Sequence, residues 1–211
     1  MSKIYAVKVG RKKGIYYDWV ECFKNISGYK NAVFKKFSNL EEAQQFLNNE
    51  IQENKNKNLN NINVYTDGSC INNGKKTARA GIGIYFGEND KRNISAKYKD
   101  NPSNQRAELY AIIVAIKLLN PEEIKKSVII HTDSMYSINC VTKWYSTWKR
   151  HNWVTSKKKP VKNLKLIKEL YDLIHTYNIN LKHIRSHTNK KDVHSIGNQK
   201  ADHLALRGAL S

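Results

Sequence analysis

The chain has 211 residues, 40% of them hydrophobic and 10% aromatic, which is enough to fill a core and excludes disorder throughout. Its 37 Lys and Arg against 18 Asp and Glu leave a net charge of +19, pointing to a polyanionic partner, nucleic acid ahead of an anionic membrane. The 37 divide into 30 Lys and 7 Arg, so a Lys-rich composition alone could produce the total, and the placement of the charge has to decide. The opening Met1-Ser2-Lys3-Ile4 lacks a signal-like apolar stretch. The longest apolar run, Leu109 to Ile116, falls far short of the roughly 20 residues that span a bilayer. Three cysteines, Cys22, Cys70 and Cys140, are odd in number and lack metal-site spacing. A soluble protein of a reducing, intracellular compartment is expected, with no membrane partner.

In chain order, Ile4 to Val9 reads as a short strand followed by turns at Gly10 and Gly14. Two apolar stretches come next, Ile15-Tyr16-Tyr17-Asp18-Trp19 and Ala32 to Phe37. Ser38 or Asn39 can then cap a helix over Leu40, Ala43, Phe46 and Leu47, with Glu41 and Glu42 in the turn where the helix dipole favours acids. From Asn48 to Asn61 the chain reads NNEIQENKNKNLNN, a linker composition. It separates a small module, 1–47, from a larger one, 62–211. The larger module opens with strands Ile62–Thr66, Ala80–Phe86 and Ile94–Tyr98, spaced as an antiparallel meander. Leu109, Ile112, Ile113 and Ile116 recur at i, i+3, i+4 and i+7, predicting a helix from about Asn104 to Leu119 with Ser103 as N-cap and Pro121 as the block. Val128-Ile129-Ile130 reads as a buried strand. Helical stretches are expected over Ser134–Trp148, Leu164–Tyr177 and Gly197–Arg207, with a strand over Ile179–Ile184. Strands interleaved with helices predict an α/β layer structure around a mixed sheet.

From Ile62 onward there are only 12 acids, and four occupy unusual places. Asp67 closes the first strand of the module, Asp133 closes the buried strand, Glu108 precedes the apolar stripe of the long helix, and Asp202 sits on the last helix. Singly, each has a plain structural role as turn former, N-cap or solvated helix charge. Together, at strand ends and helix faces meeting along one sheet edge, they would share a crevice, and a like-charge cluster needs cations of its own.

Tyr65-Thr66-Asp67-Gly68-Ser69, Ala80-Gly81-Ile82-Gly83, Asn104-Gln105-Arg106-Ala107-Glu108, Thr132-Asp133-Ser134 and Gly197-Asn198-Gln199-Lys200-Ala201-Asp202 resemble, in order, the signature segments of cellular type 1 ribonuclease H. The resemblance covers essentially all of residues 62–209. It implies the ribonuclease H fold, a five-stranded mixed sheet flanked by helices, and an endonuclease that hydrolyses the RNA strand of an RNA–DNA hybrid, leaving 5′-phosphate and 3′-hydroxyl ends. It implies Asp67, Glu108, Asp133 and Asp202 as ligands of two Mg²⁺ ions, with Mn²⁺ as substitute. Hard oxygen donors suit such ions, and in-line phosphodiester hydrolysis needs both an activated water and a stabilised leaving oxygen. A mobile histidine preceding the last carboxylate matches His187 best. Here the sequence departs from the family pattern: Ser186 replaces a Gly, and Asn189-Lys190-Lys191-Asp192-Val193 resembles an insertion, so His194 is a rival. The competing class is a catalytically inactive protein that only binds hybrid or double-stranded RNA.

Substrate contacts are implied in the same way. From Lys143 to Lys168 there are nine basic residues and no acids, with Trp144, Trp148 and Trp153 interleaved. Trp144 and Trp148, at i and i+4, share a helix face and are either core or a stacking surface. By resemblance they line a DNA-strand channel together with Tyr136 and Ser156. Ser103 and Asn163 match members of a DNA-phosphate pocket in which Asn101 replaces an Arg. Asn73, Asn104 and Gln105 match readers of the RNA minor groove, and Arg106 is assigned to fold support. Residues 3–47 resemble the family's small α/β hybrid-binding module. That likeness implies Tyr5, Trp19 and Phe34 against DNA sugars, Lys35 and Lys36 on phosphate, and double-stranded RNA as a further ligand. Nothing in the sequence demands more than a monomer.

Overall fold

The structure, a computed structural model, describes residues 3–48, 61–186 and 192–211. The chain divides into two compact units, Met1–Asn60 and Asn61–Ser211. Most of the expected linker lies outside the described residues.

In the first unit, β1 (Ile4–Val9) is the centre of an antiparallel sheet, flanked by β2 (Gly14–Tyr16) and β3 (Val33–Phe37). Strand alternation sends Ile4 and Ala6 to one face, where they pack with Ala43 and the partly buried Phe37 and Phe46. Val7 goes to the other face and packs with Cys22 and Ile26. Each face is thus covered by one helix. α1 (Trp19–Ile26) is absent from the sequence-based expectation. Its signal lies in Asp18, whose carboxylate accepts from the Glu21 N–H at 3.1 Å and starts the helix. Residues 40–48 form the described part of α2, and Asn39 rather than Ser38 is its cap, its Oδ1 accepting from the Glu42 N–H at 2.8 Å.

The second unit is a five-stranded mixed sheet in the order β6-β5-β4-β7-β8. β4 (Asn61–Ile71), β5 (Arg79–Tyr85) and β6 (Ile94–Tyr98) are antiparallel neighbours, while β7 (Ser127–Thr132) and β8 (Asn180–His183) run parallel to β4. β4 differs from expectation in an instructive way. Asp67 does not end it, because antiparallel pairing with β5 carries the strand on to Ile71↔Arg79. The parallel ladder to β7 stops at Tyr65↔His131, so Asp67 stands just beyond that ladder with its β7 side unpaired.

Two helices carry the remaining functional side chains, one on each sheet face. α3 (Asn104–Lys117) starts at Ser103, whose Oγ accepts from the Arg106 N–H at 3.4 Å, and it packs on β4 and β5. α8 (Val193–Leu210) crosses β4, β5 and β6. Gly68 and Gly83 let both helices approach closely. A Cβ at Gly68 would lie 2.2 Å from the Glu108 backbone nitrogen, and one at Gly83 would lie 1.9 Å from the Ala201 carbonyl oxygen. α8 begins four residues earlier than expected because Asp192 caps it, Oδ1 accepting from the N–H groups of His194 and Ser195. Asp192 and Val193, the last two residues of the stretch that resembles an insertion, form the cap and first residue of this helix; residues 189–191 lie outside the described residues.

Pro121–Ile124 forms α4, and α7 (Leu164–Thr176) packs on α3. The expected helix over Ser134–Trp148 is instead three pieces: α5 (Met135–Asn139), a π-helical turn Cys140–Trp144, and α6 (Tyr145–Arg150). Periodicity alone does not reveal the wider turn. The core comprises Val64, Ile82, Ile84, Leu109, Ile112, Ile113, Ile116, Ile130, Ile167 and Leu170 with their neighbours.

Candidate active site

Four carboxylates converge from four elements at the sheet edge where the β4–β7 ladder stops. Asp67 comes from β4, Asp133 from the turn closing β7, Glu108 from α3 and Asp202 from α8. Carboxylate oxygens of Asp67, Glu108 and Asp133 all lie within 4.8 Å of one another. Asp202 falls outside that spacing yet is near enough for its charge to act on both Asp67 and Glu108. Asp67 and Glu108 are each only 5% exposed, and Glu108 Oε2 has no hydrogen-bond partner. Among the described residues none of the four takes part in an ion pair, although the chain carries +19.

The electrostatic consequence is large. Burial, followed by the charges of Asp133 and Asp202, pushes the Asp67 carboxyl up to about 7, against the opposing pull of the Gly68 N–H. Burial and then the charges of Asp67 and Asp133 raise Glu108 well above the usual carboxylate range. Buried like charges with an orphaned oxygen are an unfavourable arrangement that a cation relieves, and an all-oxygen donor set suits a hard divalent ion. The residues present therefore fit divalent metal binding.

A ring cluster that sequence reasoning missed starts two residues before Asp67 and Asp133 on the same two chain segments, at Tyr65 and His131. His131, buried in β7, stacks on Tyr65 with centroids 4.9 Å apart, and its Nε2 lies 2.8 Å from Asn63 Oδ1. Burial, with smaller contributions from His194 and Lys182, pulls the His131 imidazole down to about 4, so it is neutral at physiological pH. His194 Nδ1 lies 3.0 Å from the Tyr65 hydroxyl, and its ring centroid is 4.6 Å from that of His131. His194 is thus engaged as an anchor of α8 on β4. His187 lies outside the described residues. The apolar run Val128-Ile129-Ile130 ending in a histidine was the available signal for His131.

The basic segment forms an aromatic cleft. Tyr136, Trp144 and Trp148 follow one another with centroids 6.2 and 5.5 Å apart. Trp144 and Trp148 line a cleft of about 940 Å³ together with Arg150, Ser156 and Lys158. Trp144 is 38% exposed, whereas Trp148 packs partly against the core, so the two tryptophans divide between surface and support. Trp153 belongs with the core, edge-on to Tyr145 at 5.1 Å with the Lys168 ammonium over its ring. The Tyr136 hydroxyl accepts from Asn163 Nδ2 at 3.1 Å, and Asn163 Oδ1 accepts from Arg106 Nη1 at 3.5 Å. Arg106 also pairs with Asp100, which ties it into the fold. Asn73 Oδ1 accepts from the Asn104 N–H at 3.2 Å, bringing the loop after β4 to the start of α3 where the half-buried Asn104 and the exposed Gln105 sit.

In the first unit Trp19 is an aromatic hub, 5.2 Å from Tyr5, 5.7 Å from Phe23 and 5.8 Å from Phe34. Cross-strand register places Tyr5 beside Lys36 and Val7 beside Phe34 on the α1 face. Lys35 falls on the opposite face, its ammonium 5.5 Å over Phe37. Period-two alternation therefore separates two neighbouring lysines that resemblance treats alike.

The family model described as "RNase H" matches residues 59–210, and one described as "Ribonuclease H1 N-terminal domain" matches residues 3–47. Ribonuclease H of Schizosaccharomyces pombe is 32% identical, with 97% of this chain and 96% of that protein covered. Human Ribonuclease H1 is 30% identical, with 97% and 88% covered. Among solved structures, the solution structure of the PFV RNase H domain superposes with a TM-score of 0.52 at 28% identity, covering 70% of this chain and 93% of that one.

Proposed function

The chain belongs to the RNase H family and carries the N-terminal domain of ribonuclease H1, and from that premise we propose how its own residues carry out cleavage of the RNA strand of RNA–DNA hybrids. Asp67, Glu108 and Asp133, with Asp202 beside them, are assigned to hold two divalent ions, Mg²⁺ with Mn²⁺ as a substitute. Such ions, when bound, lower the pKa of the attacking water and stabilise the leaving oxygen. The protein's part is to hold the carboxylates close together, with Asp67 and Glu108 desolvated, so that a bound cation favours their ionised forms. His187 is assigned to proton transfer and product release, because His194 is engaged by Tyr65.

Holding the hybrid falls to four surfaces. Trp144, Trp148, Tyr136 and Ser156 take the DNA strand along the aromatic cleft, where stacking and Lys charge act together. Ser103 and Asn163 seat a DNA phosphate, and Asn73, Asn104 and Gln105 read the RNA 2′-hydroxyls. Residues 1–47 bind hybrid, and double-stranded RNA more weakly, through Tyr5, Trp19, Phe34 and Lys36, with Lys35 reaching phosphate from the other face. Residues 48–61 act as a tether raising the effective concentration of the catalytic unit, 62–211. We assign the chain a monomeric state and, from its three free thiols, a reducing compartment. No helix among the described residues is long and apolar enough to cross a membrane.

The carrying observation is the carboxylate trio, with Asp67 and Glu108 buried and Asp133 half-buried, which has no ion-pair partner among the described residues. It favours an enzyme over an inactive binding protein, since binding alone has no use for so unfavourable a cluster. Full-length protein with labelled RNA–DNA hybrid, RNA duplex and DNA duplex, in Mg²⁺ or EDTA, tests this. Cutting confined to hybrid RNA and abolished by EDTA is expected; binding without cutting in Mg²⁺ sinks the assignment.

A further inference from the structure

α1 has two apolar sides, and only one faces the core. Cys22 and Ile26, at i and i+4, are buried against Val7. Trp19 and Phe23, also at i and i+4, point outward at 42% and 50% exposure, with Val20 at 58% beside them. Among the described residues Phe23 is in ring contact with Trp19 alone, which in turn meets the 43%-exposed Phe34. A continuous band, Phe34 to Trp19 to Phe23, therefore runs off β3 and along α1. A contiguous apolar patch on a unit this small marks an interaction site.

Charge selects the occupant. Residues 1–47 hold nine basic and four acidic side chains, a net 9 − 4 = +5, with Lys36 on the α1 face of β3 and Lys24 directly after Phe23. We infer that Phe23 extends the nucleic-acid contact of the N-terminal unit by one further aromatic position, packing on a sugar of the DNA strand beyond the one met by Trp19. The inference rests on the assignment of residues 1–47 to hybrid binding. Phe34, Trp19 and Phe23 then form a stepped platform in which each ring offers a tilted face to the strand, and Lys24 lies in reach of the next phosphate.

Affinity and direct footprinting of the full chain test this, with a long RNA–DNA hybrid in EDTA so that no cleavage occurs. Phe23→Ala is expected to weaken Kd by about tenfold, within the range of one lost stacking contact. Phe23→Trp should retain near wild-type affinity. Phe23→Lys, which adds positive charge, should still bind more weakly than the parent; tighter binding would show that charge alone acts there and would overturn the inference. Hydroxyl-radical oxidation of Phe23 should fall when hybrid is added, a readout that would not change if Phe23 only braced Trp19 from behind. Undiminished oxidation, or an unchanged Kd for Phe23→Ala, overturns the inference. So does protection that grows with protein concentration in the absence of nucleic acid together with a sedimenting dimer, which would make a second copy the occupant. Loss of affinity with Trp19→Ala but not with Phe23→Ala sinks this inference alone, whereas no loss with either sinks the assignment of the unit to hybrid.

Discussion

The two units of this chain place their costly groups in opposite environments. The larger unit buries like-charged carboxylates, Asp67 and Glu108, inside a basic protein, while the smaller unit exposes large apolar rings, Trp19, Phe23 and Phe34, to water. Each arrangement is unfavourable in the free protein and is one that the proposed ligand would relieve: a cation in one case, a sugar–phosphate strand in the other. Chemistry calls for desolvation, because electrostatic control of a reacting phosphate weakens in water. Binding a backbone of any sequence calls for an open, tilted surface that does not read bases.

The largest effect is expected from Asp67→Asn. Hybrid cleavage in Mg²⁺ should fall by at least roughly 100-fold, about 3 kcal/mol of transition-state stabilisation. Hybrid affinity in EDTA should hold, and metal-free thermal stability at pH 8 should rise because one buried like charge is gone. A variant that loses stability as well as activity would show that Asp67 supports the fold.

A second expected outcome follows from the raised Asp67 pKa. A carboxyl at about 7 when folded, against 3.8 ordinarily, binds an extra proton in the folded state across that interval. Its contribution is fully present below pH 4 and is lost as pH rises through about 7. In EDTA, the stability of the wild type relative to Asp67→Asn should therefore decline from pH 4 to pH 7. Saturating Mg²⁺ at pH 8 should restore it, by about 2.7 kcal/mol at 100 times Kd. A flat difference across that range would mean that the cluster is not strained.

Trp19→Ala and Trp144→Ala test the exposed side of the comparison. Each should weaken hybrid binding about tenfold. Trp19→Ala should leave the cleavage rate at saturating hybrid unchanged, while Trp144→Ala should also lower it, since its cleft belongs to the unit carrying the carboxylates. Equal effects on kcat would erase the division of labour. The smallest expected effect is on stability alone: Asp192→Ala, removing the cap of α8, should cost about 1 kcal/mol in urea unfolding.

Several features were legible before the structure because their residues carry short-range constraints. Ser103 before the apolar stripe of α3, Asp133 at the close of the buried strand β7, and the motif glycines Gly68 and Gly83 are local patterns. α1 went unread because Asp18 and Glu21, its cap and first-turn acid, are spread over a run that also suits a strand. The π-turn at Cys140–Trp144 went unread because a single widened turn leaves the apolar spacing nearly unchanged. The role of Asp192 was obscured by the spacing between His187 and Asp202.

An α/β nuclease with a basic accessory module was readable from residue order alone, since five ordered motifs reflect chemistry written in neighbouring residues and the few acids of the larger module stand out against its basic composition. Which groups meet is settled by the fold. It drew three carboxylates within 4.8 Å and left Asp202 just outside, engaged His194 with Tyr65 and His131, and sent Lys35 and Lys36 to opposite faces. These outcomes depend on strand register and on helices pressed against glycines far away in sequence. Contacts of that kind arise only when the sheet closes and its neighbours are fixed in three dimensions.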